Sequence, residues 1–288
     1  MNYIPEDKLA VSLGQRIASE RKLNNLSQKQ LAEDICSQSM ISSIEKGIYV
    51  PNAILLSRLC MRLNISMDNA VLSSYLEIED MEGFNEKIKS LCNNHDYSGM
   101  LKYLDDSKII DQLYKNQDFQ TYYYYYAVAT YQYLNDRRES LRLLNLAYQY
   151  TYSKGQKSFI PNEILILSVI AYIKVQSNDV TSGFKDFETV LKIIEDNRFS
   201  SYNENINILY YLYGVCLHET KQYRKSIKIL NDGINWTTLH SSYYMLSDLF
   251  LALSKSYDSL NNKSEAHKAV LKSETIEDVF KQYAYKKD

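Results

Sequence analysis

The chain has 288 residues, enough for two domains, and its three prolines, eight glycines and 45% hydrophobic residues point to a helical protein. No apolar run reaches the roughly 18 residues of a membrane span, and the opening MNYIPEDKLAVSLG lacks the basic and apolar regions of a signal peptide, so a cytoplasmic location is expected and a membrane partner is not. The cysteines Cys36, Cys60, Cys92 and Cys216 form no CxxC pair; Cys36 and Cys60 fall at apolar helix positions, which favours core thiols over a disulfide or a metal site.

In chain order, LGQRIASERKLNN reads as a first helix, with Leu13, Ile17 and Leu26 as its core residues. Ser27 is a good N-cap for a short second helix whose apolar stripe is Leu31, Ala32 and Ile35, and a turn is expected near Cys36–Ser37. Gln38 to Lys46 form a third helix with Ile41 and Ile44 at i and i+3, stopped by Gly47. Its other face carries Ser37, Gln38, Ser39, Ser42 and Ser43, short or amide side chains that pair with base edges and phosphates in a major groove. Gln38, Ser39 and Ser43 are expected to face bases, with Gln28, Ser37 and Lys46 nearer phosphates. Ile54, Leu55, Leu59, Cys60 and Leu63 line a fourth helix, and Ile65-Ser66-Met67-Asp68 opens a fifth. Between Ser12 and Ser66 seven basic residues (Arg16, Arg21, Lys22, Lys29, Lys46, Arg58, Arg62) face four acidic ones (Glu20, Glu33, Asp34, Glu45), an excess of three in a chain of net charge −2. The positive surplus therefore sits where phosphates would be met.

Residues 12–72 resemble the phage-repressor or XRE-type helix-turn-helix family, on Arg21 in helix one, Gln28 opening helix two, Ala32, and Glu45-x-Gly47 closing the third helix. The resemblance implies that Arg21 and Glu45 pair to hold helix one against helix three, and that the protein acts as a dimer on two half-sites of double-stranded DNA.

The rest of the chain repeats. Small residues at Gly99, Ser140, Gly183, Ser226 and Ala266 are each followed, four positions on, by a bulky one: Tyr103, Leu144, Phe187, Leu230 and Val270. Val128, Ala171 and Gly214 lie twelve positions before the middle three, and Ala147, Val190 and Gly233 seven after them. This framework resembles that of tetratricopeptide helix pairs, in which small residues let helices approach and the large one plugs the gap. Turns are expected near Asn135-Asp136, Asn178-Asp179, Lys221-Gln222 and Asn261-Asn262. The period exceeds the usual ~34 residues, so the helices are longer or the connections fuller. The expected fold is all-α: a five-helix helix-turn-helix domain (1–72), a linker helix (73–83), and a right-handed tetratricopeptide-like solenoid (84–288) for peptide binding and dimerisation.

Such solenoids present a concave face lined by the first helix of each pair. Phasing on the small residues places Tyr122, Tyr125, Gln132, Ser168, Tyr172, Gln176, Tyr211, His218, Asp248 and Lys255 there, a mixture of aromatic platforms and hydrogen-bonding tips suited to an extended peptide. The same rings also suit the core between helices. His95, His218, His240 and His267 lie far apart in sequence without nucleophile or metal-ligand spacing, and no glycine-rich phosphate loop is present; neither an enzyme nor a cofactor is expected.

The combination of the two domains resembles the peptide-sensing regulators of the Rgg/PlcR/PrgX type. The resemblance implies a homodimeric transcription factor in quorum sensing, bound to an inverted-repeat operator and controlled by a short pheromone peptide on the concave face. Many members hold the peptide backbone with asparagines; at two equivalent places this chain has Ser168 and Tyr172. The alternative is a repressor whose repeats only dimerise or bind a protein partner.

Overall fold

The computed structural model describes residues 6–65, 78, 81, 83–200 and 202–280. The chain divides into two compact units, Met1–Glu82 and Gly83–Asp288. The expected fifth helix lies outside the described residues beyond Ile65, as does the expected linker helix, 73–83, apart from Ile78, Met81 and Gly83.

In the first unit α1 (Glu6–Leu23), α2 (Gln28–Ala32), α3 (Gln38–Glu45) and α4 (Ala53–Leu63) surround Ile17, Leu31, Ile41, Ile44, Leu56, Leu59 and Leu63. Each such buried aliphatic chain stabilises by roughly 1.5–3 kcal/mol relative to exposure. Ser27 caps α2 reciprocally with Gln30: the hydroxyl accepts the Gln30 N–H, and the Gln30 side-chain Oε1 accepts the Ser27 N–H at 2.8 Å. The turn comes earlier than expected. Asp34 adopts φ 59°, so Ile35 sits in the turn, although its side chain still packs on the core. In α4 the buried stripe is Leu56, Leu59, Cys60 and Leu63, while Ile54 is 71% exposed. Two positions before Leu56, Ile54 falls about 200° round the helix and so on its far side. α4 is capped by Asn52 and closes on Asn64 at φ 56°, where the Ile65 N–H reaches the Cys60 carbonyl at 3.0 Å, a Schellman closure.

The second unit stacks five helix pairs: α5 (Phe84–Asn93) with α6 (Tyr97–Leu104), then, after the short α7 (Ser107–Ile110), α8 (Asn116–Ala129) with α9 (Arg137–Thr151), α10 (Pro161–Gln176) with α11 (Val180–Glu195), α12 (Asn207–Glu219) with α13 (Tyr223–Leu239), and α14 (Leu246–Ser259) with α15 (Lys263–Phe280). Among the described residues the one β-type pairing is the isolated bridge Phe159–Phe199, which ties the two long connections 152–160 and 196–206 to each other. The long period is thus explained by both longer helices and fuller connections.

The turns inside the pairs share one chemistry. His95, Asn135, Asn178, Lys221 and Asn261 have φ between 50° and 70°, and Asp96, Asp136 and Asp179 follow as N-caps. At four of the five turns the first helix closes by a Schellman pattern; Asp179 N–H to the Lys174 carbonyl, 3.0 Å, is one case. The exception is Asn135, which follows a π-helical turn, Thr130–Leu134. That turn inserts one residue. The expected Val128 is therefore not the small residue at the close approach. Ala127, fully buried, takes that place, and the Ser140 hydroxyl donates to its carbonyl, as the Ser226 hydroxyl donates to Gly214.

The plugs Leu144, Phe187 and Leu230 are fully buried. Tyr103 and Val270, in the first and last pairs, are half-buried, because an end repeat lacks a neighbour on one side. At Gly183 a Cβ would lie 2.8 Å from the Ala171 carbonyl oxygen and 2.5 Å from Val175, so α10 and α11 touch backbone to backbone. Trp236 is the hub of an aromatic cluster, with His240 at 4.2 Å and Phe199, Tyr202 and Tyr210 near 6 Å.

Candidate nucleic-acid interface and ligand groove

α3 is the candidate reading helix. Ser37 caps it by accepting the Met40 N–H at 3.2 Å, and shares a hydrogen bond with Ser39 at 2.9 Å. Burial of Ile41 and Ile44 turns the other face outward. Ser37, Gln38, Ser39 and Lys46 are exposed, and Ser42, Ser43 and Gln28 are half-buried. The helix is set tightly on α1: a Cβ on Gly14 would lie 2.1 Å from the Ile44 carbonyl oxygen.

A polar relay fixes the helix further. The Arg21 guanidinium donates to both oxygens of Glu45, at 2.6 and 3.0 Å, and to the Leu26 carbonyl at 2.8 Å. The Gln28 side-chain amide donates to Glu45 at 2.8 Å, and the Gln38 side chain donates to Gln28 Oε1 at 2.7 Å. Partial burial pushes the Glu45 carboxyl up, but the hydrogen bonds from Arg21 and Gln28 outweigh it, and the group lies below its usual value. Glu45 is therefore anionic at neutral pH and holds Arg21, Gln28 and, through Gln28, Gln38 in one geometry. Sequence reasoning missed the link from Gln28 to Gln38. Its only signal is two glutamines ten residues apart, one opening each helix.

The ten groove candidates do not behave alike. Ser168 is fully buried and its hydroxyl donates to the Ile164 carbonyl at 2.7 Å. Tyr122 is 5% exposed and its hydroxyl donates to the Leu104 carbonyl at 2.8 Å; burial raises it to about 12. Both polar atoms are spent on backbone inside the protein, so these two side chains are wall rather than groove surface. Tyr125, Tyr172, Gln176, Tyr211, His218 and Asp248 are half-buried; Gln132 and Lys255 are exposed. Tyr172 meets Tyr131 edge-on at 6.0 Å, one first helix to the next. Burial raises Tyr172. Gln176 donates to Glu219, and Arg137 donates to the Gln176 carbonyl. Tyr131 and Glu219 thus join the candidates. The π-helical turn hid Tyr131 by shifting its phase.

His218 and His267, far apart in sequence, line one open cleft with Ser254, Lys255, Asp258 and Lys263. Among the described residues no group of histidine, cysteine and acidic side chains is placed to hold a metal ion, and no helix is long and apolar enough to cross a membrane.

Residues 17–69 match the helix-turn-helix family HTH_3. No curated protein sequence matches the chain. Among solved structures, PlcR of Bacillus thuringiensis in complex with the peptide PapR7 and DNA is 24% identical and superimposes with a TM-score of 0.66 over 94% of this chain and 96% of that one. PlcR in its apo form is 20% identical, with a TM-score of 0.57 over 92% and 94%. The SHP pheromone receptor Rgg2 of Streptococcus dysgalactiae is 14% identical, with a TM-score of 0.50 over 93% and 94%. The chain has the all-helical fold of these proteins along nearly its full length.

Proposed function

We propose that this chain, a helix-turn-helix protein with the fold of PlcR, is a DNA-binding transcription regulator controlled by a short signalling peptide. The observation that carries this reading is the pairing of an outward, rigidly held polar helix, α3, with a helical array whose first helices present half-buried tyrosines and amide tips. The PlcR structure that shares the fold holds both a peptide and DNA, and the likeness is the second support.

In this reading residues 1–72 bind DNA, 73–83 link, and 84–288 bind the peptide and dimerise. Gln38, Ser39 and Ser43 read bases, Gln28, Ser37, Ser42 and Lys46 approach the backbone, and Tyr125, Gln132, Tyr172, Gln176, Tyr211, His218, Asp248 and Lys255 form the concave peptide surface. The protein works in the cytoplasm as a homodimer on an inverted repeat. Half-site spacing is fixed by the DNA helix, so a dimer reads its operator only when its two α3 helices stand at the matching separation. A peptide that prefers one curvature of the array shifts that population and with it the separation.

The test is DNase footprinting on the DNA upstream of its own gene, with native mass spectrometry against candidate short peptides. A dimer protecting two half-sites, with the protection changed by a peptide that binds in the mass spectrum, is the expected result. A monomer at micromolar concentration that still protects tightly would refute the dimer. Protection indifferent to every peptide that binds would refute the control.

A further inference from the structure

The cleft at the end of the array, about 550 Å³, lies between α12, α14 and α15. Its charge is legible group by group. Lys263 is paired with Asp258 at 2.6 Å. Lys255 is exposed and has no ion-pair partner among the described residues. Glu219, beside His218 on α12, receives the Gln176 amide. His267 completes the ring from α15, and the Tyr223 ring of α13 packs 5.3 Å from His218.

The hydrogen bonds behind His218 define which nitrogen carries its proton. Ser226 is fully buried, and its hydroxyl donates to the Gly214 carbonyl at 2.7 Å. Its oxygen is 2.9 Å from the Ser256 oxygen, and the Ser256 hydroxyl proton goes either there or to the Ala252 carbonyl at 3.2 Å. Ser256 in turn lies 3.1 Å from His218 Nδ1, and with its own proton spent it can only accept. His218 therefore carries its proton on Nδ1, and in the neutral ring Nε2 has a lone pair and no proton. A second proton on Nε2 turns that atom from acceptor to donor.

We propose that this cleft holds a carboxylate of the signalling peptide, gripped by the Lys255 ammonium and a protonated His218 Nε2; the proposal rests on the array being the peptide site. The bound anion favours the imidazolium, so binding takes up a proton. In the empty cleft burial, and then the Lys255 charge, hold His218 below its ordinary value against the opposing pull of Glu219. His218 is thus neutral when empty near neutral pH and cationic when filled. Affinity rises as pH falls between the filled and empty values, by at most about tenfold per pH unit.

The experiment uses the full-length protein, labelled at histidine Cε1 and followed by NMR, with the His218 signal assigned through His218→Gln and the His267 signal through His267→Gln. The probes are N-acetyl-Ala-Ala-Phe with a free carboxylate, the same peptide as its C-terminal amide, and N-acetyl-Ala-Asp-Phe amide. The free acid should shift the His218 signal saturably and raise its titration midpoint, while the amide leaves both in place. Lys255→Gln, with helicity unchanged, should weaken the free acid roughly tenfold, and His218→Gln should flatten the pH dependence. If the aspartyl amide acts like the free acid, the cleft takes a side-chain carboxylate; if it acts like the plain amide, the cleft reads a chain end. Either supports the proposal. Equal shifts from free acid and amide, no shift from any probe, or undiminished binding to Lys255→Gln overturn it. Footprinting stays a separate readout: a peptide that alters DNA protection without moving His218 refutes the cleft and leaves the regulator standing.

Discussion

Gln38 stands at the start of α3 with one side-chain amide proton tied to Gln28 at 2.7 Å, which fixes the orientation of its Oε1 and second proton; in the proposed reading these meet a base. Gln38→Ala should cost about 1–3 kcal/mol on the cognate site and barely change binding to random DNA; titrations on both sequences check this, and equal losses would refute the assignment. Glu45 lies below its usual value, so its contribution to stability is present above the unfolded carboxyl pKa and is lost as pH falls through the lower folded one. In the array, Tyr172→Ala and Tyr211→Ala should each weaken peptide binding by about 1 kcal/mol or more and leave ligand-free DNA binding nearly intact. Tyr172→Phe separates the ring from its hydroxyl: calorimetry showing a loss in Ala alone means packing, and an equal loss in Phe means a hydrogen bond. The Ser27 cap was legible in sequence because caps obey local rules, whereas the Arg21–Glu45 pair, 24 residues apart, was legible only through the family resemblance. Ser168 and Tyr122 were not, because α10 is apolar almost all round and α8 carries five consecutive tyrosines, so periodicity names no outer face.

The turns between paired helices were readable from Asn-Asp steps, since asparagine tolerates positive φ and aspartate caps the second helix of the pair. The π-helical turn at 130–134 was not, because it leaves the turn residues in place and displaces only the phase before them. It makes a specific expectation. Deleting the exposed Gln132 should let α8 run on as a regular helix into Asn135, with a melting temperature within a few degrees of the parent, as followed by circular dichroism. A one-residue deletion within α10, where both sides are buried, should unfold the unit. Gly183→Ala sets two effects against each other. Alanine favours a helix by about 1 kcal/mol over glycine, but the new Cβ would lie 2.8 Å from the Ala171 carbonyl oxygen, and overpacking costs about 1–3 kcal/mol. A backbone atom cannot rotate away, so chemical denaturation should show net destabilisation.

At the scale of the molecule the chain's 27 tyrosines dominate its response to alkali. Burial raises Tyr122 to about 12, hydrogen bonding to Asp105 raises Tyr126 to about 12, and burial holds Tyr124 well above its ordinary value. A phenol with a raised folded pKa stabilises fully below the unfolded value near 10 and loses that contribution as pH climbs through the folded one. Urea midpoints should therefore hold to about pH 10 and then fall steeply; a flat profile to pH 12 would contradict the burial of these rings. The Trp236 cluster has a different kind of consequence. The chain has one tryptophan, ringed by Phe199, Tyr202, Tyr210 and His240 and surrounded in the same unit by phenols that can pass their excitation to it. The array thus carries a single built-in fluorophore with many antennae. The ratio of indole to phenol emission becomes a ruler for how tightly the pairs are stacked, read without a label, while the helix-turn-helix unit stays dark at the indole wavelength.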